Sequence, residues 1–299
     1  FDIVVGCDGV KSACKEFIEK GCISDDDNRR EGDSVALYSG LRIRYAVKYG
    51  SGKTPRHETA TFSQYFGDGG YALRSVYGSG KGRPDTECAF LVFLDDNYVG
   101  PFRKKNAFSR SKIRENADWS QDVKEANKRA KEAMLQELSS LQVPRRDIAA
   151  VVEEADSFFD LGVYFHNPFS LRGWSREVPQ SGGTHIVLAG DAAHALPPFL
   201  GQGSNQAIQD AYCLATRLYK YNELISKGED VALGGVLKDY ENTRWMSCFN
   251  VFWKATFLGY LEVGGENGIY SKFRDVFFKT MGIIGVAKKI LIGSAMPKV

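Results

Sequence analysis

The sequence predicts an α/β fold in which a sheet-rich region lies between two strand–helix parts. Three observations predict it. Two short continuous apolar runs, Ile3–Val5 and the stretch "THIVLAGD" at 184–191, each lead through glycine into a helix-like segment, as buried parallel strands do. From Val35 to about Asp96, β-branched and aromatic residues alternate with glycine-bearing turns, the pattern of an antiparallel sheet. At 120–142 the apolar residues Val123, Ala126, Ala130, Met134, Leu135, Leu138 and Leu141 form one helical stripe, which Pro144 ends.

Taken in order, "FDIVVGCDG" reads as a strand and a tight turn bracketed by Gly6 and Gly9, and "VKSACKEFIEKG" as a short helix ending at Gly21. A polar loop follows at 24–34. The stretches "VALYSGLRIRYAV", "TATFSQYF", "YALRSVYG" and "CAFLVFLDD" are strands, with one face covered and one open to a ligand or to helices. Residues 103–114 hold six basic residues and no acids, which reads as a solvated insertion loop, with a phosphate or membrane-surface role as the alternative. "FFDLGVYFHNP" (158–168) returns to strand character, and Asn205 to Leu218 is a helix with Ile208, Ala211, Tyr212, Ala215 and Leu218 on one face. The expected divisions are 1–32, 33–165, 166–250 and a helical region at 251–299.

Composition narrows the classes. The 299 residues are 43% hydrophobic and 25% charged, enough for one large or two smaller globular domains. A net charge of +2 nominates neither nucleic acid nor membrane as partner. The six cysteines form no CxxC pair and have no His at zinc-like spacing, so no metal site is expected, and reduced thiols in an intracellular compartment are. No apolar run approaches the ~20 residues that span a bilayer. The chain starts at Phe1, inside a strand, and we expect a segment to precede it.

The chemistry concentrates in "GDAAHALPPFLGQGSNQAIQDA", Gly190 to Ala211. Gly190 allows a sharp exit from the strand, and Asp191 sits beyond its carboxyl end, where ligands bind in open α/β sheets. Pro197-Pro198 stiffens the path, Gly201 and Gly203 let backbone approach a flat or anionic group, and Ser204 or Asn205 is expected to cap the next helix. The helix start then offers amides and a positive dipole end to negative charge without a charged side chain.

That string resembles the second FAD-contacting motif of flavin-dependent monooxygenases of the aromatic hydroxylase type. The matching positions are Gly190-Asp191, Ala193-His194, Pro197-Pro198, Gly201-Gln202-Gly203, Asn205 and Asp210-Ala211. "VVGCDGVKSACK" is similar to the family's middle motif through Asp8-Gly9 and Ser12, with Cys7 where the family has Ala and Lys15 where it has Arg. Trp174, "LKDYENTR" (237–244) and the terminal "PKV" are weaker likenesses, the last to zeaxanthin-epoxidase-like relatives. There is no GxGxxG after a strand.

The resemblance implies an FAD-binding flavoprotein monooxygenase fold, lacking the first nucleotide-binding segment, with an inserted β-sheet substrate region. It implies FAD as cofactor and NAD(P)H as co-substrate, and insertion of one oxygen atom from O₂ into a small organic or lipophilic substrate by hydroxylation or epoxidation. Asp8, Gly9, Gly190, Asp191, Pro198, Gly201, Gln202, Gly203, Ser204 and Asn205 would be the cofactor-binding residues. Asp191 would face the ribitol or ribose, and the Gly201–Asn205 backbone the pyrimidine edge of the flavin. The cofactor carries the reaction, so no catalytic side chain is assigned. His194 reads as a hydrogen-bonding spacer rather than a proton donor, and Arg42 and Arg44 share a strand face that could hold an acidic substrate or simply meet solvent. Three further expectations follow: a plastid location from the epoxidase likeness, docking or peripheral membrane contact for the basic amphipathic stretch at 271–299, and, as the alternative to an enzyme, a non-catalytic interaction subunit of a larger complex.

Overall fold

The computed structural model describes residues 2–23, 35–50, 61–77, 86–95, 119–141, 146–264, 268–283 and 293. The polar loop at 24–34, the basic run at 103–114 and the Ile284, Lys288 and Lys289 part of the terminal stretch lie outside them.

Two sheets organise the chain. The first has the order β1 (Ile3–Gly6), β8 (His185–Leu188), β7 (Ser175–Glu177). β1 and β8 run parallel, with Ile3 opposite His185 and Gly6 opposite Leu188, so the ends of both predicted apolar runs stand side by side. β1 is less buried than its apolar run predicts: it is an edge strand among the described residues, and Val4 and Val5 are exposed. α1 (Ala13–Lys20) follows β1 and ends on Gly21 in the left-handed conformation, as expected.

The second sheet is antiparallel, in the order β3 (Thr61–Phe66), β4 (Gly70–Tyr77), β5 (Thr86–Leu94), β2 (Ala36–Lys48), β6 (Ser157–His166). Side chains alternate between its faces. Ala46, Ala72, Ala89, Leu91 and Phe93 point to one side and pack on α2 (Trp119–Ser140) and α3 (Arg146–Glu153) through Met134, Leu138, Leu141, Ile148 and Val152. α3 is not marked in the sequence reading, because it is one short amphipathic segment just past Pro144. The other face presents Ile43, Tyr45, Leu73, Phe90, Val92 and Val163 to a cavity.

Arg42 and Arg44 lie on the α2 side, not the cavity side. Both bond to Asp160, Arg42 also reaches Asp95, and Arg44 reaches Glu137 of α2. The acidic-substrate role is therefore excluded for them: they are ion-paired on the wrong face.

One helix joins the two sheets. α6 (Leu233–Val263) is 31 residues long, about 46 Å at 1.5 Å per residue. Leu237 and Tyr240 pack with Val187 and Leu188 of the first sheet, and Val263 packs with Leu41, Tyr71 and Val92 of the second. Tyr240 Oη donates to the Leu188 carbonyl and Tyr260 Oη to the Ser39 carbonyl, which ties α6 to both sheets. The helix runs unbroken through the boundary expected at 250/251, where no Pro or Gly interrupts the stretch from Val236 to Leu258.

α7 (Gly268–Ile283) docks, but against the second sheet and α6 rather than the flavin-motif part. Phe278 stacks on Phe66, Phe277 meets Phe257 edge-on, and buried Arg274 donates to the Gly67 carbonyl at 2.7 Å. No helix among the described residues is long and apolar enough to cross a membrane.

Candidate active site

The strand β8 ends at Leu188, and Gly190 turns the chain at φ 60°, ψ −144°, a conformation that disfavours a β-carbon. The short helix α4 (Asp191–His194), the stiff Pro197-Pro198 pair and a 3-10 turn at Pro198–Leu200 follow. Gly201 is left-handed, with open space where a β-carbon would stand. α5 (Gly203–Ser226) then begins two residues earlier than expected.

Its N-cap is Gln202, not Ser204 or Asn205. Those two already lie inside the first turn, where the backbone is helical. Asn205 Nδ2 donates to Gln202 Oε1 at 3.1 Å, holding the capping residue rather than capping itself. No side chain caps the helix, so the amides of Gly203, Ser204 and Asn205 have no partner among the described residues. Asp191 is exposed beside them: a β-carbon on Gly203 would stand 3.9 Å from its Oδ1.

A buried polar network holds this loop from behind. Asp210 of α5 accepts from the Gly190 amide at 2.9 Å, from His194 Nε2 at 2.5 Å and from Arg244 Nε at 2.7 Å. Arg244 of α6 also donates to the side chains of Gln209 and Gln206. Burial alone would depress His194, but Cys248 and the Asp210 carboxylate outweigh it and raise its pKa. Asp210 goes the other way: burial is overcome by His194, Arg244 and the Gly190 amide, and it stays ionised. His194 is thus a spacer locked inside the protein, its ring 5.2 Å from that of Trp174.

The amino-terminal motif meets the loop from the side. Asp8 accepts from Ser12 Oγ at 2.6 Å and from the Ala13 and Cys14 amides, so it closes the turn onto α1. Burial opposes this, yet the Ser12 hydroxyl and those amides hold its carboxyl below the usual range. Gly9 is at φ +80° with open space beside it. Lys15 does not reach toward a ligand: it is buried, 3.3 Å from Glu19 and 3.5 Å from the Ala193 carbonyl, and burial pushes its ammonium down.

His166, which the sequence reading passes over, fastens the two motifs together. Its Nε2 lies 2.8 Å from the Val10 carbonyl, and its Nδ1 accepts from the Ala195 amide. The first contact requires a proton on Nε2 and the second requires none on Nδ1, so the ring is neutral. Burial, and then the nearby Lys15 charge, press its pKa down to about 3.

In front of the loop lies a cavity of about 1030 Å³. Val10, Asp191, Ala195, Pro198, Phe199 and Gly201 line one wall, and the open face of the second sheet lines the other. Ligand pockets are on the order of 300–1,000 Å³, so this one has room for a tricyclic ring and a second molecule. Of the expected residues, Asp191, Pro198 and Gly201 line the cavity, while Gly190 and Gln202–Asn205 are not among its lining residues and adjoin them along the chain. Asp8 and Gly9 stand beside Val10 at its margin. Among the described residues one cluster, His194, Asp210 and Cys248, has metal-like donors close together, but Arg244 occupies a carboxylate oxygen there and disfavours a cation.

The family model described as an FAD binding domain matches residues 167–243, which hold Gly190–Ala211 and Arg244's neighbours. The chloroplastic zeaxanthin epoxidase of Prunus armeniaca is 33% identical over 38% of this chain and 18% of its own length. The FAD-dependent monooxygenase terM of Tolypocladium album is 24% identical over 90% of this chain and 49% of its own. The chain thus spans at most about half of these relatives. Klebsiella pneumoniae HpxO, solved with FAD and uric acid, covers 98% of this chain at TM-score 0.55 and 17% identity, the chain covering 59% of it. A salicylate hydroxylase substrate complex covers 100% at TM-score 0.51 and 18% identity, with 65% of that chain matched. The fold is that of the FAD-dependent hydroxylases, residues 167–243 match an FAD binding domain, and over the parts aligned the chain is similar to FAD-dependent monooxygenases and to a zeaxanthin epoxidase.

Proposed function

We propose that this chain forms the flavin-facing and substrate-facing walls of an FAD-dependent monooxygenase that inserts one oxygen atom from O₂ into an organic substrate, with NAD(P)H as reductant. The observation that carries the reading is the juxtaposition of unpartnered first-turn amides at Gly203–Asn205, the exposed Asp191 and a cavity with open space at Gly201. These residues fit a flavin: glycine leaves room for a flat ring, and amides at a helix start favour the negative charge that a reduced ring carries.

In this reading Asp191 accepts hydrogen bonds from the ribityl or ribose hydroxyls. Pro198 and Gly201 lie along the ring, and the amides of Gly203, Ser204 and Asn205 meet its polar edge. Gln202 sets the start of α5 through Asn205. Gly190 and Asp8-Gly9 position the two loops. When bound, FAD supplies the oxygen activation, and the protein's residues bind, orient and exclude water. The apolar sheet face opposite the loop supplies the dry wall. Likeness to hydroxylating and to epoxidising relatives supports both outcomes equally. The chloroplastic epoxidase supports, of the expected locations, a plastid.

The test is spectroscopic. The purified full-length protein should show flavin absorption, release FAD on denaturation, and couple NADH or NADPH oxidation to O₂ uptake when a substrate is added. A well-folded, colourless protein that yields no flavin on extraction and does not take it up would return the chain to the interaction-subunit alternative.

A further inference from the structure

The cavity has one polar corner away from the loop. Glu262, in the last turn of α6, projects into it one turn beyond Leu258, and Gln64 of β3 and Tyr71 of β4 hydrogen-bond to its carboxyl. The three residues come from three elements and are otherwise ringed by Phe66, Leu73, Val92, Phe199 and Phe278. Glu262 is 7% exposed and Tyr71 2%. A carboxyl is expensive to bury beside aromatic and aliphatic walls, and Phe199 and Leu258 show that apolar residues are available on the same wall. Two neutral partners on the protein leave a further oxygen lone pair of the carboxyl for a group inside the cavity.

We infer that Glu262, held by Gln64 and Tyr71, is the anchoring point for the single hydroxyl of an otherwise apolar substrate. The inference rests on the reading of this cavity as the substrate site and adds the class of molecule it takes: a phenol or alcohol on a large hydrocarbon frame. The carboxyl is the specificity-determining group, not a catalytic one. A site built to hydrogen-bond a hydroxyl rejects the analogue without it, because its own polar group is then buried unpaired. Burial lifts Glu262 to about 7 against the hydrogen bonds from Gln64 and Tyr71, so near neutrality it both donates and accepts. The groups that face it are Tyr71 and Gln64 from the sheet, while Arg274 of α7 touches only its backbone carbonyl.

The test uses a matched pair of probes, 2-naphthol and 2-methylnaphthalene, titrated into the full-length protein and followed by probe fluorescence anisotropy. The wild-type protein should bind 2-naphthol at least tenfold more tightly. Glu262→Leu should bind both probes alike, with unchanged FAD content and circular dichroism, and Glu262→Gln should keep part of the preference. Equal binding of the two probes by wild-type protein, or a preference that survives in Glu262→Leu, would overturn the assignment. So would failure of both probes to bind. A protein that prefers the naphthol yet holds no flavin would keep this inference and remove the monooxygenase reading. The two therefore fail separately.

Discussion

Asp210 and Arg244 form a fully buried ion pair, Nε to Oδ1 at 2.7 Å, with neither side chain exposed to solvent. Removing one partner strands the other charge in the core, which costs about 3–5 kcal/mol. Arg244→Ala and Asp210→Ala should each lose stability on that order in urea unfolding. Asp210→Ala should in addition loosen FAD binding, because the Gly190 amide and His194 lose their acceptor together. Replacing both by leucine should cost less than either single change. If Asp210→Ala unfolds at the wild-type midpoint, the pair does not hold the loop.

The Gly259 position tests how α6 supports the site. A β-carbon there would overlap the Phe199 ring, which lies between α6 and the cavity. Gly→Ala inside a helix ordinarily stabilises by roughly 0.5–1 kcal/mol. Here the ring must move toward the cavity, and overpacking costs about 1–3 kcal/mol. Gly259→Ala should therefore destabilise and shrink the cavity, read as a lower urea midpoint and weaker probe binding. A gain in stability would show that Phe199 yields freely.

Much of this was legible in the sequence, but unevenly. The loop from Gly190 to Asn205 was, since turn residues act locally and the string is contiguous. The strand character of β1 and β8 was, because both runs have the composition of parallel strands, but their pairing with each other was not, since it joins segments about 180 residues apart. Exposure of Val4 and Val5 was not, because edge position is a tertiary property. The helix cap was misplaced at Ser204 or Asn205, since Gln202 caps without a side-chain bond and leaves no residue signal. Arg42 and Arg44 were correctly placed on one face, but which face meets the cavity depends on α2 and Asp160. "LKDYENTR" was noted only as a likeness. The structure shows its reason, with Tyr240 tying to Leu188 and Arg244 to Asp210. His166 and Glu262 carried no local signal, because their partners are distant in sequence: Val10 and Ala195 for His166, Gln64 and Tyr71 for Glu262.

The two buried histidines set opposite pH dependences. His166 falls from 6.5 to about 3, so the native state binds fewer protons than the unfolded one between those values. Its contribution is present above pH 6.5 and is lost as pH drops toward 3, at up to about 1.4 kcal/mol per pH unit. His194 is raised, so its contribution is present below 6.5 and is lost as pH climbs. His166→Leu should thus flatten the acid limb of stability by up to one proton. Asp8 and Asp210, which are held low, act equally in both proteins. Denaturant midpoints from pH 7 to pH 4 would show it, and parallel acid limbs would exclude His166 as the titrating group.

Asp191 separates binding from folding. Its neighbours in the loop are buried, but its carboxyl is exposed beside the unpartnered start of α5 and bonds to nothing among the described residues. A residue with no folded-state partner changes stability by only about ±0.5 kcal/mol when replaced. A carboxylate that accepts two ligand hydroxyls, by contrast, makes charge-assisted bonds of about 1.5–3 kcal/mol each. Asp191→Ala should therefore leave the urea midpoint near wild type while weakening FAD binding by tenfold or more, read by flavin fluorescence on titration of apoprotein. Asp191→Asn, which keeps an acceptor oxygen without the charge, should fall between. If Asp191→Ala instead unfolds early and binds FAD normally, the carboxylate belongs to the fold. The flavin would then have to be held by the amides of Gly203–Asn205 alone.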